Sequence, residues 1–378
     1  MNLTDNAEST IELDSIDWNF PNSSTSDSLH NGHPYPAKFI PEIPRHLLEI
    51  LQVPKDGIVF DPFCGSGTTL IEAQRAGYES CGVDLNPIAC LISRVKTNPL
   101  PQGLIEAAEY CVEQAKTKKN LSIPPIPALD HWFKPEIQHA ISRLIQPVLS
   151  ISESDLRDAL RLCLSSIIVR VSNQESDTRY AAISKNITAE DTYQFFFNAV
   201  NKLSQSLPLK IDNIPRCKVI NKDIFDVSTH EINAQIGLVI TSPPYPNAYE
   251  YWLYHKYRMW WLGFDPLLVK EKEIGARAHF FKKNPPTKED FAEQMRKVLL
   301  LVTSCLVKRG HICFVIGRSK VHGEIIDNSS LIISEAMKIG LSLIFNQERT
   351  LAASRKSFNL SHASIKSENL LVFYKDWL

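Results

Sequence analysis

Apolar positions along the chain follow two different spacings, and the change from one to the other divides the sequence. Short apolar runs that end at turn-forming or acidic residues predict buried strands, and apolar positions three and four apart predict helices. A strand at 57–61, a small-residue loop at 64–69, a helix at 69–76 and a strand at 80–84 follow one another. This order is the start of a β-α-β unit, so the predicted fold class is α/β with a parallel sheet between helices.

Between residues 101 and 215 helical spacing dominates, and no clear strand is visible. The predicted helices of this stretch are 104–116, 135–149, 154–171 and 189–207. We therefore predict a helical insertion at 101–215 within a domain formed by 30–100 and 216–378. The role of the insertion is open between a target-recognition subdomain, a partner-binding surface and scaffold.

After the insertion, strand and helix patterns alternate again, which is what a continuing parallel sheet requires. The predicted strands are 219–220, 236–241, 311–317, 341–348 and 369–375, and the predicted helices are 291–306 and 330–339.

Composition is that of an ordinary globular protein, with 44% hydrophobic and 22% charged residues. The longest nearly apolar run, at 298–307, has about half of the roughly 20 residues that a membrane helix needs. No basic start precedes an apolar core, and the eight cysteines form no C-x-x-C pair. We expect a cytoplasmic protein without a secretory signal, membrane anchor, disulfide framework or bound metal.

Charge is distributed unevenly along the chain. Residues 1–29 hold six acids and no Lys or Arg, which leaves 41 bases against 36 acids, a net +5, in the remainder. This polar segment is predicted to be a flexible acidic tail, with Trp18 and Phe20 available to pack on the body. A mildly basic body permits binding to nucleic acid.

A glycine-containing loop, Asp-Pro-Phe-Cys-Gly-Ser-Gly-Thr-Thr at 61–69, connects the first predicted strand to a helix. Glycines at this place let a ligand approach the backbone closely. The loop lacks the lysine of a Walker loop and the third glycine of a dinucleotide fingerprint, so it suits a nucleoside without a pyrophosphate. Asp84 ends the next strand, 17 residues after Gly67, where an acid can hold ribose hydroxyls.

A second motif, Ser242-Pro243-Pro244-Tyr245, follows the apolar strand at 236–241. Ligands bind beyond the carboxyl ends of parallel strands. Two prolines cannot donate backbone hydrogen bonds, and they leave carbonyl acceptors in a rigid frame. With a hydroxyl before them and an aromatic ring after them, the motif predicts a pocket for a planar amine.

These motifs, in this order, resemble those of the DNA amino-methyltransferases, which move a methyl group from S-adenosylmethionine to an exocyclic nitrogen of a DNA base. The resemblance is specific at the two motifs and extends loosely over 30–98 and 216–375. It implies a Rossmann-like class I S-adenosylmethionine-dependent methyltransferase fold, double-stranded DNA as partner, and Ser242 to Tyr245 as the catalytic tetrapeptide. The cofactor residues that it implies are Tyr35, Lys38, Phe39, Asp61, Pro62, Phe63, Gly65, Gly67, Thr68, Asp84, Leu85, Asp223 and Ile224.

The resemblance also bears on the target. In the family the S-P-P-Y form is associated mainly with N4 of cytosine, so this sequence is predicted to modify cytosine, with N6 of adenine and a base amine of RNA as alternatives. A base inside a duplex must be flipped out to reach such a pocket. A restriction or defence partner is expected from the family association alone.

Residues 251–283 combine seven Lys or Arg with interleaved aromatic residues, against three acids. Basic side chains contact phosphates and aromatic rings stack on bases, although the aromatic residues are equally consistent with a core helix. A second basic segment lies at 349–375. The predicted DNA contacts are Lys256, Arg258, Arg277, Lys282, Lys283, Arg355 and Lys356.

Overall fold

The computed structural model describes residues 3–21, 27–117, 122–209, 213–247, 249–350 and 367–377, with side chains from residue 9 onward. Its centre is a sheet of seven strands, accompanied by two short hairpins. The strands are β1 Ile58–Asp61, β2 Ser80–Asp84, β3 Gln174–Ser176, β4 Arg179–Ala182, β5 Cys217–Asn221, β6 Ile236–Thr241, β7 Leu306–Gly317, β8 Ser319–Val321, β9 Glu324–Ile326, β10 Ser342–Thr350 and β11 Ser367–Tyr374.

The sheet has the order β10-β11-β7-β6-β1-β2-β5. Its pairs from β7 to β5 are parallel, and β11 runs antiparallel to both of its neighbours. From β1 the chain proceeds to β2 and β5 on one side, and β6 returns to the other side of β1. This reversal creates a crevice at the carboxyl ends of β1 and β6, the usual ligand position in open α/β sheets.

Helices cover both faces of the sheet, and the predicted α/β class is confirmed. The helices predicted from apolar spacing are present with ends shifted by at most three residues. The helices are α1 Leu3–Asp14, α2 Glu42–Leu51, α3 Thr68–Arg75, α4 Pro87–Thr97, α5 Leu104–Thr117, α6 Leu129–Trp132, α7 Pro135–Ser150, α8 Ser154–Val171, α9 Ala189–Ser206, α10 Thr229–Ile232, α11 Tyr251–Trp261, α12 Pro266–Lys272, α13 Lys288–Cys305 and α14 Asn328–Lys338.

The insertion consists of α5 to α9 and one hairpin, β3–β4, which sequence spacing does not reveal because its strands have only three and four residues. Its helices share one hydrophobic core with the sheet domain. That core joins Leu91 of α4, Leu160 of α8, Phe196 of α9 and Trp261 of α11. The insertion therefore packs directly against the sheet domain through this shared core.

The N-terminal segment differs from the flexible tail that its composition predicts. Part of it forms α1, and both Leu13 and Trp18 are buried in a cluster with α2 and β10. The indole of Trp18 donates to the carbonyl of Leu13 at 2.8 Å, and Arg349 donates to the carbonyl of Trp18 at 2.8 Å. A few well-placed apolar side chains therefore outweigh an acidic average composition here.

Among the residues that the structure describes, no helix is both long enough and apolar enough to cross a membrane.

Candidate active site

One cleft at the carboxyl edge of the sheet collects the residues singled out by the sequence. Including its open mouth, it has a volume of about 1260 Å³. The tetrapeptide Ser242 to Tyr245 lines one wall. The cofactor candidates that line it are Tyr35, Lys38, Phe39, Asp61, Pro62, Phe63, Gly65, Thr68, Asp84, Leu85, Asp223 and Ile224. Their proximity is an observation, and their individual roles stay predictions.

Gly67 stands apart from the lining and shapes the loop instead. It precedes α3 with φ +80°, and a Cβ there would come within 2.8 Å of the Ser93 hydroxyl oxygen. Gly65 has φ +49°, and a Cβ there would meet the Tyr35 hydroxyl at 3.0 Å. The Ser93 hydroxyl in turn donates to the Gly65 carbonyl at 2.8 Å. Only glycine fits both positions, which leaves an open cradle above the loop.

Two carboxylates, buried Asp61 and partly buried Asp84, fix the floor of the cleft. Asp84 accepts the backbone N–H of Gly65 at 2.9 Å and that of Asn86 at 2.7 Å. Asp61 accepts the Thr241 hydroxyl at 2.6 Å, which ties β1 to the strand that carries the tetrapeptide. Burial raises the pKa of both Asp61 and Asp84 to about 6. Both are therefore largely ionised at neutral pH.

The lining of the cleft is rich in acids. Five carboxyl groups line it, against three lysines, among the residues described: Asp61, Asp84, Asp223, Glu273 and Glu368, with Lys38, Lys222 and Lys272. Two of these lysines are paired, Lys222 with Glu231 at 3.0 Å and Lys272 with Asp226 at 2.9 Å. Burial raises the pKa of Glu273 to about 8, so this group is mostly neutral at pH 7, whereas Asp61 and Asp84 are mostly ionised. Their negative charge opposes a pyrophosphate and fits the sulfonium and ammonium groups of S-adenosylmethionine.

Lys38 and Asp223 are two charged residues of this lining with different surroundings. Burial lowers the pKa of Lys38 to about 8, and its ammonium donates to the carbonyl of His30 at 2.9 Å. Asp223 accepts the N–H of Phe225 at 3.1 Å, and its other oxygen lies 3.8 Å from the ammonium of Lys272. Asp223 thus keeps a carboxylate edge at the cleft, where a nucleobase amine could donate to it.

The segment that follows α12 packs against the backbone of the tetrapeptide. A Cβ on Gly275, which has φ +71°, would lie 2.5 Å from the Tyr245 carbonyl oxygen. The N–H of Asn247 donates to the Gly275 carbonyl at 3.0 Å. This close approach fixes the backbone of the motif against a second loop. Sequence reasoning attached no function to Gly275.

Glu273 is a cleft residue that the sequence does not reveal, because it stands 31 residues after Ser242 within a basic segment. Its carboxyl group accepts the N–H of Tyr251 at 2.7 Å and that of Trp252 at 3.0 Å, at the start of α11. Burial raises its pKa to about 8. The Tyr251 ring stacks on Tyr35, with 5.6 Å between centroids, so Glu273 positions one side of the cleft mouth.

The predicted DNA contacts separate into four groups: one buried, one half-buried, three exposed, and two outside the described residues. Arg258 is fully buried, and its guanidinium donates to the Ser165 carbonyl, the Tyr254 carbonyl and Asp177. The prediction for Arg258 is wrong, because long-range packing gives this cation a structural partner on the β3–β4 hairpin.

Lys256 is half-buried, with its ammonium 4.8 Å from the Tyr257 ring centroid. Its contact with DNA stays a prediction. Arg277, Lys282 and Lys283 are exposed, as a phosphate contact requires. Arg355 and Lys356 lie outside the described residues.

The sheet order, with its antiparallel strand next to the edge, and the glycine loop with an acid after the second strand define a class I S-adenosylmethionine-dependent methyltransferase fold. The family described as DNA methylase matches residues 5–95, which include the glycine loop and Asp84. The cofactor for which the cleft is built is S-adenosylmethionine. The chain resembles the DNA amino-methyltransferases, as its motifs predict.

Similar proteins include the Type II methyltransferase M.MvaI of Kocuria varians, 26% identical over 61% of this chain and 56% of that protein. The Type II methyltransferase M.BsoBI of Geobacillus stearothermophilus is 23% identical over 66% of this chain and 55% of that protein. The Type II methyltransferase M.MjaII of Methanocaldococcus jannaschii is 37% identical over 21% of this chain and 16% of that protein. The chain spans about half the length of the first two.

Proposed function

We propose that this protein is a DNA methyltransferase that transfers a methyl group from S-adenosylmethionine to the exocyclic N4 of cytosine in double-stranded DNA. One observation carries the proposal: the tetrapeptide that starts at Ser242 and the cofactor residues around Gly65 and Asp84 line the same cleft. The predicted amine acceptor and the predicted nucleoside site thus share one crevice at the carboxyl ends of β1 and β6.

The chemistry of the chain lies in the tetrapeptide. An exocyclic amine is a poor nucleophile because its lone pair is delocalised into the ring. The hydroxyl of Ser242 and the carbonyl of Pro243 accept its N–H bonds, draw the nitrogen towards sp³ geometry and localise the lone pair. Preorganised acceptors of this kind stabilise the positive charge that develops on the nitrogen. The Tyr245 ring offers a stacking surface for the extruded base.

The cofactor supplies, when bound, a methyl group on an electrophilic sulfonium. In this chain Asp84 would accept hydrogen bonds from the ribose hydroxyls and Asp223 one from the adenine amine. The cradle above Gly65 and Gly67 leaves room for the methionine part. Positioning by these groups supplies much of the rate, since transfer then becomes effectively unimolecular.

Cytosine is proposed as the target because serine occupies the first position of the tetrapeptide. The Type II methyltransferases that resemble this chain support DNA as the substrate and are consistent with a restriction or defence partner. The exposed cations Arg277, Lys282 and Lys283 suit a phosphate backbone at the mouth of the cleft.

The test is a nucleoside assay. The purified chain is incubated with labelled S-adenosylmethionine and unmethylated bacterial DNA, and the digested nucleosides are separated by mass spectrometry. N4-methylcytosine is expected. N6-methyladenine would retain the enzyme class and overturn the cytosine target, and label on RNA alone, in a parallel tube, would overturn DNA as the substrate.

The matched variant is Ser242→Ala. We expect its turnover to fall roughly 10²- to 10³-fold, the usual cost of removing one preorganised hydrogen-bonding group at a reacting centre. Cofactor affinity, measured by calorimetry, should stay unchanged. Full methylation by this variant would contradict the role given to the serine hydroxyl.

A further inference from the structure

Phe281 is an aromatic side chain turned towards water. It ends the 3₁₀ turn Arg277–Phe281 between α12 and α13, and it is 71% exposed. Its neighbour Phe280 is buried, so the two adjacent rings point in opposite directions. A single exposed apolar ring is common on protein surfaces, so its role depends on what surrounds it.

The turn that carries Phe281 is fixed in place. The N–H of Ala278 donates to the Glu250 carboxylate at 3.1 Å, and the ring of His279 bonds to the Lys270 carbonyl at 2.8 Å. Glu250 follows the catalytic tetrapeptide by five residues. The exposed ring therefore stands on a support that is bonded to the catalytic loop.

The distance to the catalytic motif is short. Gly275, against the Tyr245 carbonyl, precedes Phe281 by six residues, and a 3₁₀ turn rises about 2 Å per residue. Two further residues, extended at up to about 3.6 Å each, separate this turn from Gly275, so the backbone of Phe281 lies within about 15 Å of Gly275.

The charges around the ring suit a duplex. Lys282 and Lys283 are exposed directly after it, and the guanidinium of Arg277 lies 5.6 Å from its centroid. Three cations around one exposed aromatic ring can hold phosphates on either side of a base step while the ring stacks within it.

We propose that Phe281 is the positioning residue that enters the duplex where the target base leaves it. The inference rests on the proposed function and deepens it. The ring stacks on the bases that flank the gap and offsets the stacking lost when the target rotates into the cleft. Arg277, Lys282 and Lys283 hold the backbone while this exchange occurs.

The test compares two duplexes that contain the methylated sequence, once it has been mapped on bacterial DNA with the wild-type chain. In one duplex the target base is paired, and in the other it lies opposite an abasic site, which makes flipping easy. For Phe281→Ala we expect a roughly 10- to 100-fold lower single-turnover rate on the paired duplex, as for the loss of one stacking contact. On the abasic duplex its rate should come within about threefold of wild type.

Two further variants serve as controls. Phe281→Trp keeps a stacking ring and should retain most of the rate on both duplexes. Met337→Ala removes an exposed apolar side chain of α14 and should behave as wild type. Cofactor affinity should be unchanged in all three variants.

A rate for Phe281→Ala equal to wild type on the paired duplex would overturn the inference alone. An equal loss on both duplexes would overturn it as well, because it would indicate a general DNA contact or a structural role. Absence of methylation by the wild-type chain would overturn the proposed function, and the inference with it.

Discussion

The glycine loop at 61–69 and the segment at 249–283 both contribute to the lining of the same cleft, but the sequence predicts the first more accurately than the second. In the loop, the side chains predicted from the motif reach the cleft, and Gly67 supplies the turn. In the segment, Arg258 is buried while Arg277 is exposed, although both are arginines among aromatic residues. Local geometry decides the first region, and contacts distant in sequence decide the second.

The reason is the range of the contacts involved. The turn at Gly65 is shaped by groups within about thirty residues of it, such as the Ser93 hydroxyl and Asp84. Arg258 is instead held by Asp177, 81 residues earlier in the chain. The number of charges in one segment of the sequence carries no information about an ion-pair partner in a distant segment.

Replacement of Arg258 by methionine is the strongest test of the difference between buried Arg258 and exposed Arg277. The substitution leaves Asp177 and two backbone carbonyls without their cation. We therefore expect the free energy of unfolding to fall by about 3 kcal/mol. This value is at the lower end of the range for a broken buried ion pair, because Asp177 is partly exposed. Urea denaturation measures this loss. Arg277→Met is the control and should change stability by less than about 0.5 kcal/mol. An equal loss of stability in both variants would contradict a structural role that is specific to Arg258.

The second prediction concerns pH on the cofactor side. With its pKa raised to about 6, Asp84 is protonated below that pH and can no longer accept ribose hydroxyls as a carboxylate. We expect cofactor affinity to weaken up to about tenfold from pH 7 to pH 5. Calorimetry should show a flatter profile for Asp84→Asn, and an unchanged profile for Asp56→Asn at an exposed site. An Asp84→Asn profile as steep as that of wild type would contradict the assignment.

The same raised pKa fixes the sign of a stability effect. The folded protein holds the Asp84 proton more tightly than the unfolded chain, whose carboxyl titrates near its ordinary value of 3.8. The contribution to stability is therefore present below that value and is lost as pH rises towards about 6. Denaturation of Asp84→Asn across this range should show a smaller decline.

The smallest expected effect is that of the exposed lysines. Lys282→Ala combined with Lys283→Ala should leave folding unchanged and lower the slope of log affinity for DNA against log salt by about 2. The matched control, Lys55→Ala with Lys308→Ala, removes two exposed lysines beside the amino ends of β1 and β7, away from the cleft. A slope reduced equally by both pairs would mean that the segment has no special part in DNA binding.

The sequence predicts the sheet domain well because each of its motifs is local. The strand before Asp61, the turn at Gly65 and the acid at Asp84 all lie within one β-α-β unit. Sequence spacing does not reveal the β3–β4 hairpin, helix α1, or the place of Glu273 at the start of α11. Each of these depends on a partner from another part of the chain, and none has a periodicity of its own.

The buried link between Arg258 and Asp177 has a consequence for how such a protein can diverge. Helix α11 shares an ion pair with the hairpin of the insertion and a hydrophobic core with its helices. Neither part can therefore be exchanged alone for a relative's version without leaving an unpaired charge. Recombination would have to carry 101–215 and α11 as one inherited block. A chimera built from either piece alone should lose solubility, and one that transfers both should retain it.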